Sequence, residues 1–527
     1  MIHRSAHPDV EVPPLALSDH ALARAAELGD KPALVDGVTG KATTYAELAA
    51  QVRAAAAGLA GAGLGAGDVL ALLSPNVAAY PVVLHATVSL GAAVTPLNPL
   101  LTRRELATQM RDAGARVLVA AAPLLGEALP AAAEASVAQT YVLGEADGAP
   151  PFAALMQRAG APPEVEIDPD EALAAIPYSS GTTGIAKGVM LTHRNLVANI
   201  EQTGAIHRID RDDVLVGILP FFHIYGQTVV LNLGLSRGAK IVTLARFELE
   251  RFLAIIEEHR VTRAHVAPPV VLALAKAPAV ERFDLSSLKL VVSGAAPLDD
   301  ELALRAEERI GCPIRQGYGM TEASPVTHLT ADDDVDRASP GAIGGLAPST
   351  EARIVDPETG ADTDGDGELW VRGPQVMRGY LHNPGATTRT ITADGWLRTG
   401  DIARVDDRGE FRIVDRLKEL IKYKGYQVAP AELEALLVSH PAVLDAAVVP
   451  IPDPEGGEAP KAYVTCCEGV APDSLMGWVA ERVAPYERVR AVELVDEIPR
   501  SPSGKILRRV LRDRSAEGPT PAARPGR

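Results

Sequence analysis

Tyr178-Ser179-Ser180-Gly181-Thr182-Thr183-Gly184-Ile185-Ala186-Lys187-Gly188 puts three glycines, four hydroxyl side chains and one lysine into the ten residues from Ser179 to Gly188. Apolar Leu173 to Ile176 lead into it, and Val189-Met190-Leu191 lead out. Small residues let backbone N–H groups turn toward an anion, hydroxyls add donors, and a lysine adds charge. The spacing is not that of a P-loop, because Lys187 follows Ala186 where Gly-Lys-Ser/Thr would be needed. Taken alone, the stretch fits either a solvated Gly/Thr turn between two strands or a phosphate loop in another fold.

On either side of it, helices and strands alternate. Upstream, Thr43 to Glu47 opens an Ala-rich helix that runs to about Ala62, followed by a strand at Val69 to Ser74 and a helix at Pro81 to Leu90. A strand at Ala92 to Thr95, a helix opened by Arg103 and a strand at Val117 to Ala121 continue the series. The glycines at 61, 63, 65 and 67 imitate a dinucleotide fingerprint. They follow a helix and lack Gly at 66, so a helix stop is the better reading. Downstream come helix Asn195 to Thr203, strand Val214 to Leu219, helix Gln227 to Gly234, strand Lys240 to Leu244 and helix Glu248 to His259. Strands at His265 to Ala267 and Leu288 to Ser293 follow. This rhythm predicts βαβ units and largely parallel sheets.

After about Pro340, Gly, Asp, Glu and Pro become frequent and short strands predict a β-rich subdomain over about 340–414, with turns such as Asp407-Arg408-Gly409. Asp362 to Gly367 imitates a calcium loop, but its twelfth position is Gly373 where a bidentate Glu is required, so a solvated turn is expected. Beyond Asp415 the pattern predicts a compact α+β unit of about a hundred residues. Residues 515–527 are rich in Pro, Gly and Ala and are expected to be disordered.

Composition narrows the functional classes. Hydrophobic residues make up 47% of the 527-residue chain, enough for a large core, but aromatics make up only 4%, so Ala, Val, Leu and Ile must build it. The net charge of −17 argues against a nucleic-acid surface or polybasic membrane docking. Cys312, Cys466 and Cys467 form neither a disulfide framework nor a zinc site, which points to a reducing cytoplasm. Residues 1–20 lack a signal-peptide pattern. The apolar region from Val82 to Leu101 is broken by polar residues and prolines and is expected to be buried core instead of a membrane span.

Six further polar stretches accompany the Gly/Thr loop: 220–226 (Pro-Phe-Phe-His-Ile-Tyr-Gly), 293–298 (Ser-Gly-Ala-Ala-Pro-Leu), 316–322 (Gln-Gly-Tyr-Gly-Met-Thr-Glu), 396–401 (Trp-Leu-Arg-Thr-Gly-Asp), 415–430 and 501–506 (Ser-Pro-Ser-Gly-Lys-Ile). In this order, over roughly residues 20 to 515, they resemble the adenylate-forming superfamily of acyl-CoA synthetases, adenylation domains and luciferases. Their forms at 179–187, 223–225, 293–298 and 422–430 are most similar to the 4-coumarate:CoA ligase group. The resemblance implies an N-terminal domain (1–414) of two α/β sheets layered with helices plus the β-rich subdomain. It also implies a small mobile α+β C-terminal domain (415–514) that turns about Lys418.

It also implies site roles. The loop Ser179, Ser180, Gly181, Thr182, Thr183, Gly184 and Lys187 would hold the β- and γ-phosphates of ATP. Thr321 would meet the α-phosphate and Glu322 would hold Mg²⁺. Asp401 would accept the ribose hydroxyls, and Arg416 would reach the ribose or phosphate. Ala295, Ala296, Gln316, Gly317 and Tyr318 would frame the adenine. Lys505 would bridge carboxylate and α-phosphate in the adenylation step. Such a step develops negative charge at phosphorus and needs fixed cations and N–H donors. Rotation about Lys418, itself in the nucleotide set, would withdraw Lys505 and bring Lys422 and Gln427 to the adenylate for thioester formation. Lys424, Gly425 and Arg246 would then contact CoA.

His223 would gate an acyl pocket lined by Ile224, Tyr225, Val229, Val292, Ala295, Gly317, Pro325 and Val326. Val229 stands where plant members carry a small polar residue, which leads to the expectation that cinnamate is accepted at least as well as 4-coumarate. The expected partners are therefore an aromatic carboxylic acid, ATP and CoA, without nucleic acid or membrane. A medium- or long-chain fatty acyl-CoA synthetase, a luciferase-like monooxygenase and a stand-alone carrier-loading module are the alternatives.

Overall fold

The computed structural model describes residues 1–157, 160–179, 186–423, 426–453, 457–467, 470–501 and 504–516, the side chains of 426, 427 and 516 aside. Of the sequence-predicted site, Ser180 to Gly184, Lys424, Gly425 and the Gln427 side chain lie outside it, as do residues 517–527 of the expected tail.

Two large sheets dominate. In one, the strands Val69–Leu73, Ala93–Leu97, Ala115–Ala121, Gln139–Leu143 and Leu173–Ala175 are parallel. The strand Lys187–Thr192 joins their edge antiparallel. In the other, Pro32–Asp36, Lys240–Thr243, Val214–Gly217, Arg263–Val266, Leu290–Ser293 and Ile314–Gly319 run parallel, and Val326–Leu329 closes one side antiparallel. Their strands are apolar on both faces because helices cover both faces. Leu70 and Leu72 turn to the main core, where the helices Tyr45–Gly61, Ala79–Val88 and His193–Ile206 pack, whereas Ala71 and Leu73 turn to the opposite layer with Leu106 and Leu125. The region from Val82 to Leu101 is accordingly buried helix and strand.

Local chemistry sets the element ends. The Thr192 hydroxyl accepts from Asn195 N–H at 3.2 Å while the Asn195 side chain accepts from Thr192 N–H at 3.0 Å, a reciprocal cap that starts a helix directly after the strand. The glycines after the helix Tyr45–Gly61 form a turn, with Gly63 and Gly67 at φ +90° and +80°.

A five-stranded antiparallel sheet carries Glu351–Val355, Gly367–Arg372, Leu397–Val405 and Phe411–Arg416. The calcium-like stretch is a turn whose Asp362 pairs with Arg353 and the chain's amino terminus. A fourth sheet, led by Ile421–Tyr423, Val443–Asp453 and Gly457–Cys466, packs with the helices Pro430–Ser439 and Pro472–Ala480. Lys276 donates to the Val443 carbonyl at 2.7 Å, tying this sheet to the helix Pro268–Lys276.

One expectation is refined and one needs correction. The region Gln227 to Gly234 opens as a wide π-helical turn, Gly226–Asn232, before the helix Leu233–Arg237. A side chain at Gly226 would lie 2.3 Å from the Pro220 carbonyl, so the chain enters this turn by a close backbone approach. The expected disorder does not begin at Ser515. The helix Arg508–Ala516 runs through it, because Ser515 Oγ and Tyr463 Oη bond at 2.6 Å and Leu511 is buried beneath.

Candidate active site

The Gly/Thr loop leaves and re-enters as two paired strands, with Lys187 opposite Ser179. Directly opposed residues share a face; Ser179 bonds to Glu322, and Lys187 lies against Tyr380, which bonds to the same carboxylate. Ser179 Oγ donates to Glu322 Oε1 at 2.8 Å. Lys187 Nζ stands 4.2 Å above the Tyr380 ring, whose hydroxyl also donates to Glu322 Oε1 at 2.8 Å. Burial lowers the Lys187 pKa, aided by Lys418 and Arg389 and opposed by Glu322. Glu322 is itself buried, on the short turn Thr321–Ala323. Its Oε2 has no hydrogen-bond partner among the described residues, and a hard carboxylate oxygen suits Mg²⁺. No cluster of three His, Cys, Asp or Glu able to hold a metal occurs among the described residues. A magnesium ion there would take its remaining ligands from phosphate and water.

The second group joins two sheets. Tyr318 Oη, at the end of the strand Ile314–Gly319, donates to Asp401 Oδ2 at 2.5 Å. Arg416 lies across the hairpin from Asp401, and its Nε is 3.2 Å from Oδ1. Both Asp401 oxygens are thus oriented from opposite sides. Gln316 has its side chain committed to the backbone. It donates to Leu298 and Pro340 carbonyls and accepts from Leu298 N–H, each at 3.0 Å. It thereby fastens the end of the loop that carries Ala295 and Ala296.

Lys505 arrives from the fourth sheet's side. Its backbone closes a tight turn with Ser501, and Arg500 braces the turn by donating to the Gly504 carbonyl at 2.7 Å and pairing with Asp445. Gly504 has φ +84°, and a Cβ there would sit 2.9 Å from Ala267 Cβ. Arg508, held by Glu419 and Glu434 at 2.6 Å each, fixes the following helix. Burial pushes the Lys505 ammonium down to about 8, with Arg416 adding to the shift and Glu419 and Asp401 opposing it. His223 is its neighbour: burial, then Lys505, pushes the imidazole down to about 4, so it is neutral near pH 7.

The apolar members of the predicted pocket split. Val229, Val292 and Val326 cluster with Tyr225, Ile206 and Leu329, whereas Ile224 packs into the main core. A side chain on Gly317 would lie 2.7 Å from Leu329. Pro325 abuts Gly319, its carbonyl accepting from Met320 N–H at 3.0 Å. Asn199 fastens the wall strand, donating to the Val326 carbonyl at 2.7 Å and accepting from its N–H at 3.0 Å.

The structure thus gathers Ser179, Lys187 and Glu322 in one group, and Tyr318, Asp401, Arg416, Lys505 and His223 in a second. Lys422 does not join them. It is exposed, its N–H donates to Glu458 at 2.9 Å, and it pairs across a hairpin with Gln427. Arg246 is exposed after the strand Lys240–Thr243. Tyr380 and Glu419 are added by the structure. Tyr380 sits in no dense polar motif, and Glu419, although inside the 415–430 stretch, is not set apart there from its charged neighbours.

Residues 22–381 match the model of the AMP-binding enzyme family, and residues 432–505 match that of its C-terminal domain. The chain belongs to the AMP-binding enzyme family. This AMP-binding enzyme is 42% identical over 530 residues to 4-coumarate–CoA ligase 3 of Oryza sativa subsp. japonica, covering 98% of this chain and 96% of that protein. It is 42% identical over 533 residues to 4-coumarate–CoA ligase 1 of Solanum tuberosum, covering 98% and 97%. Among solved structures it is similar to ATP-bound MatB from Rhodopseudomonas palustris, with TM-score 0.85, 30% identity and coverage of 95% of this chain and 99% of that one. It is also similar to the anthranilate CoA ligase AuaEII in complex with anthranoyl-AMP, with TM-score 0.87, 25% identity and coverage of 96% and 98%.

Proposed function

We propose that the protein is an ATP-dependent acid–CoA ligase that converts a hydroxycinnamic acid, cinnamate or 4-coumarate, to its CoA thioester through an acyl-adenylate. The observation that carries this reading is the seat of Lys505 beside His223, Asp401 and Arg416. A cation delivered there from the C-terminal part of the chain stands where a carboxylate and an α-phosphate would meet. In the first step a carboxylate oxygen bonds to the α-phosphorus and the bond to pyrophosphate breaks. Lys505 and Thr321 offset charge at the α-phosphate, and Ser179 with the 180–184 loop and Lys187 hold the departing phosphates. Asp401 and Arg416 orient the ribose. A magnesium ion on Glu322 would neutralise phosphate charge. Neutral His223 shields the adenylate from water.

In the second step the CoA sulfur bonds to the acyl carbon and AMP leaves. Exposed Lys422, with Gln427, replaces Lys505 by rotation about Lys418, and Arg246, Lys424 and Gly425 receive CoA. Support for two arrangements comes from the unlike environments of the two lysines. Free Cys312, Cys466 and Cys467, and the lack of a helix long and apolar enough to cross a membrane among the described residues, fit a cytoplasmic setting. The test is to mix purified protein with ATP, CoA and the acids. Thioester absorbance with AMP release supports the reading. Light emission, or AMP release only with a phosphopantetheinyl carrier, overturns it.

A further inference from the structure

Beside the acyl pocket lies a polar side chain that the adenylation chemistry does not use. His265 stands opposite Val292 in parallel register. Both side chains therefore leave the same face of the sheet, where Val292 packs with Tyr225, Val229 and Val326. The His265 ring meets Tyr225 edge-on, with centroids 6.2 Å apart, and lies 6.1 Å from the His207 ring. It is 1% exposed, and neither ring nitrogen has a hydrogen-bond partner among the described residues. The flanking groups are partly engaged: His207 Nε2 meets the Thr330 carbonyl at 3.2 Å while its Nδ1 has no hydrogen-bond partner among the described residues, Arg263 pairs with Asp332 at 2.6 Å though its Nε makes no hydrogen bond among them, and the Tyr225 hydroxyl donates to the Val292 carbonyl at 3.4 Å.

Burial, then His207 and Arg263, lowers the His265 pKa to about 3 against the pull of Asp332, so the ring is neutral at working pH. A neutral imidazole carries one N–H donor and one bare acceptor nitrogen. A buried polar group without a partner costs about 1–3 kcal/mol, and native structures hold few of them. An orphaned histidine alone is no site. His85 also lacks partners, but it is enclosed in the main core on the helix Ala79–Val88. His265 differs because it abuts the aromatic wall of the acyl pocket.

We propose that His265 is a specificity-determining residue that recognises a hydroxyl on the ring of an aromatic acid, accepting its O–H or donating N–H to its oxygen. This rests on the reading of the pocket as one for aromatic acids. It reverses the expectation drawn from Val229, because the partner absent at that position is supplied from the neighbouring strand, and 4-coumarate becomes the preferred acid over cinnamate. The test compares kcat/KM for 4-coumarate, cinnamate and 4-methylcinnamate, the last keeping the size of the substituent without its hydroxyl. The wild type should favour 4-coumarate over 4-methylcinnamate by about tenfold or more. His265→Leu should bring that ratio near one, and His265→Gln should retain part of it. A wild-type ratio near one, which needs no variant to fold, overturns the role of His265 alone. So does a ratio unmoved in a folded His265→Leu protein. Absence of thioester from all three acids overturns the substrate reading, and this proposal with it.

Discussion

Two lysines of the C-terminal region, Lys505 and Lys422, look alike in sequence, each a cation close to a glycine, yet the structure treats them differently. Lys505 is pressed against the large N-terminal sheets, its pKa pushed down to about 8 by burial and by Arg416. Lys422 is exposed on a hairpin held by Glu458. One arrangement can present only one of them. The difference teaches that two similar cations of one small unit can have opposite environments, and on the mechanism proposed above it corresponds to two steps taken in sequence.

The comparison breaks or sharpens most strongly on the lysines themselves. Lys505→Ala should lower acyl-adenylate formation by about 10²–10³-fold, with thioester formation from supplied acyl-adenylate nearly retained. Lys422→Ala should do the reverse. Equal loss of both steps in both variants, measured by pyrophosphate release and by thioester absorbance, breaks the comparison outright. The titration of Lys505 gives the next effect. Lys505 is a cation below about pH 8 and neutral above it, instead of holding its proton to the ordinary 10.5. Adenylation kcat/KM should therefore fall as pH rises through about 8, approaching tenfold per unit beyond it. The residual activity of Lys505→Arg should lack that fall.

Gly504→Ala tests the seat instead of the charge. It places a methyl 2.9 Å from Ala267 at a positive φ and should cost adenylation about tenfold, sparing the second step. Tyr380→Phe removes one hydrogen bond to Glu322 and keeps the ring under Lys187. A several-fold rise in the KM for ATP, corresponding to about 1 kcal/mol, is expected.

Much of this was legible in the sequence. Strands such as Val69–Leu73 stand out as unbroken apolar runs between helices, and a helix start such as Thr43 to Glu47 is visible in the text, whereas the cap at Thr192 lies three residues before the expected start at Asn195. Other helices escape pattern reading for physical reasons. Leu125–Glu134 contains Pro130, Pro268–Lys276 begins with two prolines, and Arg508–Ala516 has too few apolar residues to show a stripe. Within the site, Glu322 and Asp401 announce themselves through dense local motifs. Tyr380 and His265 do not, because each meets its partner dozens of residues away, and Glu419, though inside the 415–430 stretch, shows its pairing with Arg508 only in three dimensions. Gln316 was legible as a site residue, but its commitment to Leu298 and Pro340 appears only in three dimensions.

The hydrogen bond from Tyr318 to Asp401 and the ion pair from Asp401 to Arg416 join the last strands before the fourth sheet to the large parallel sheet. Lys505 lies beside these same groups, so on the reading proposed above a nucleotide held there faces both the part before Lys418 and the lysine delivered from beyond it. By thermodynamic reciprocity, whatever factor its binding contributes to the arrangement with Lys505 inside must return as the same factor in nucleotide affinity when that arrangement is imposed by other means. On the reading proposed above, the nucleotide is then also a ligand that biases which of the two lysines the next step will meet.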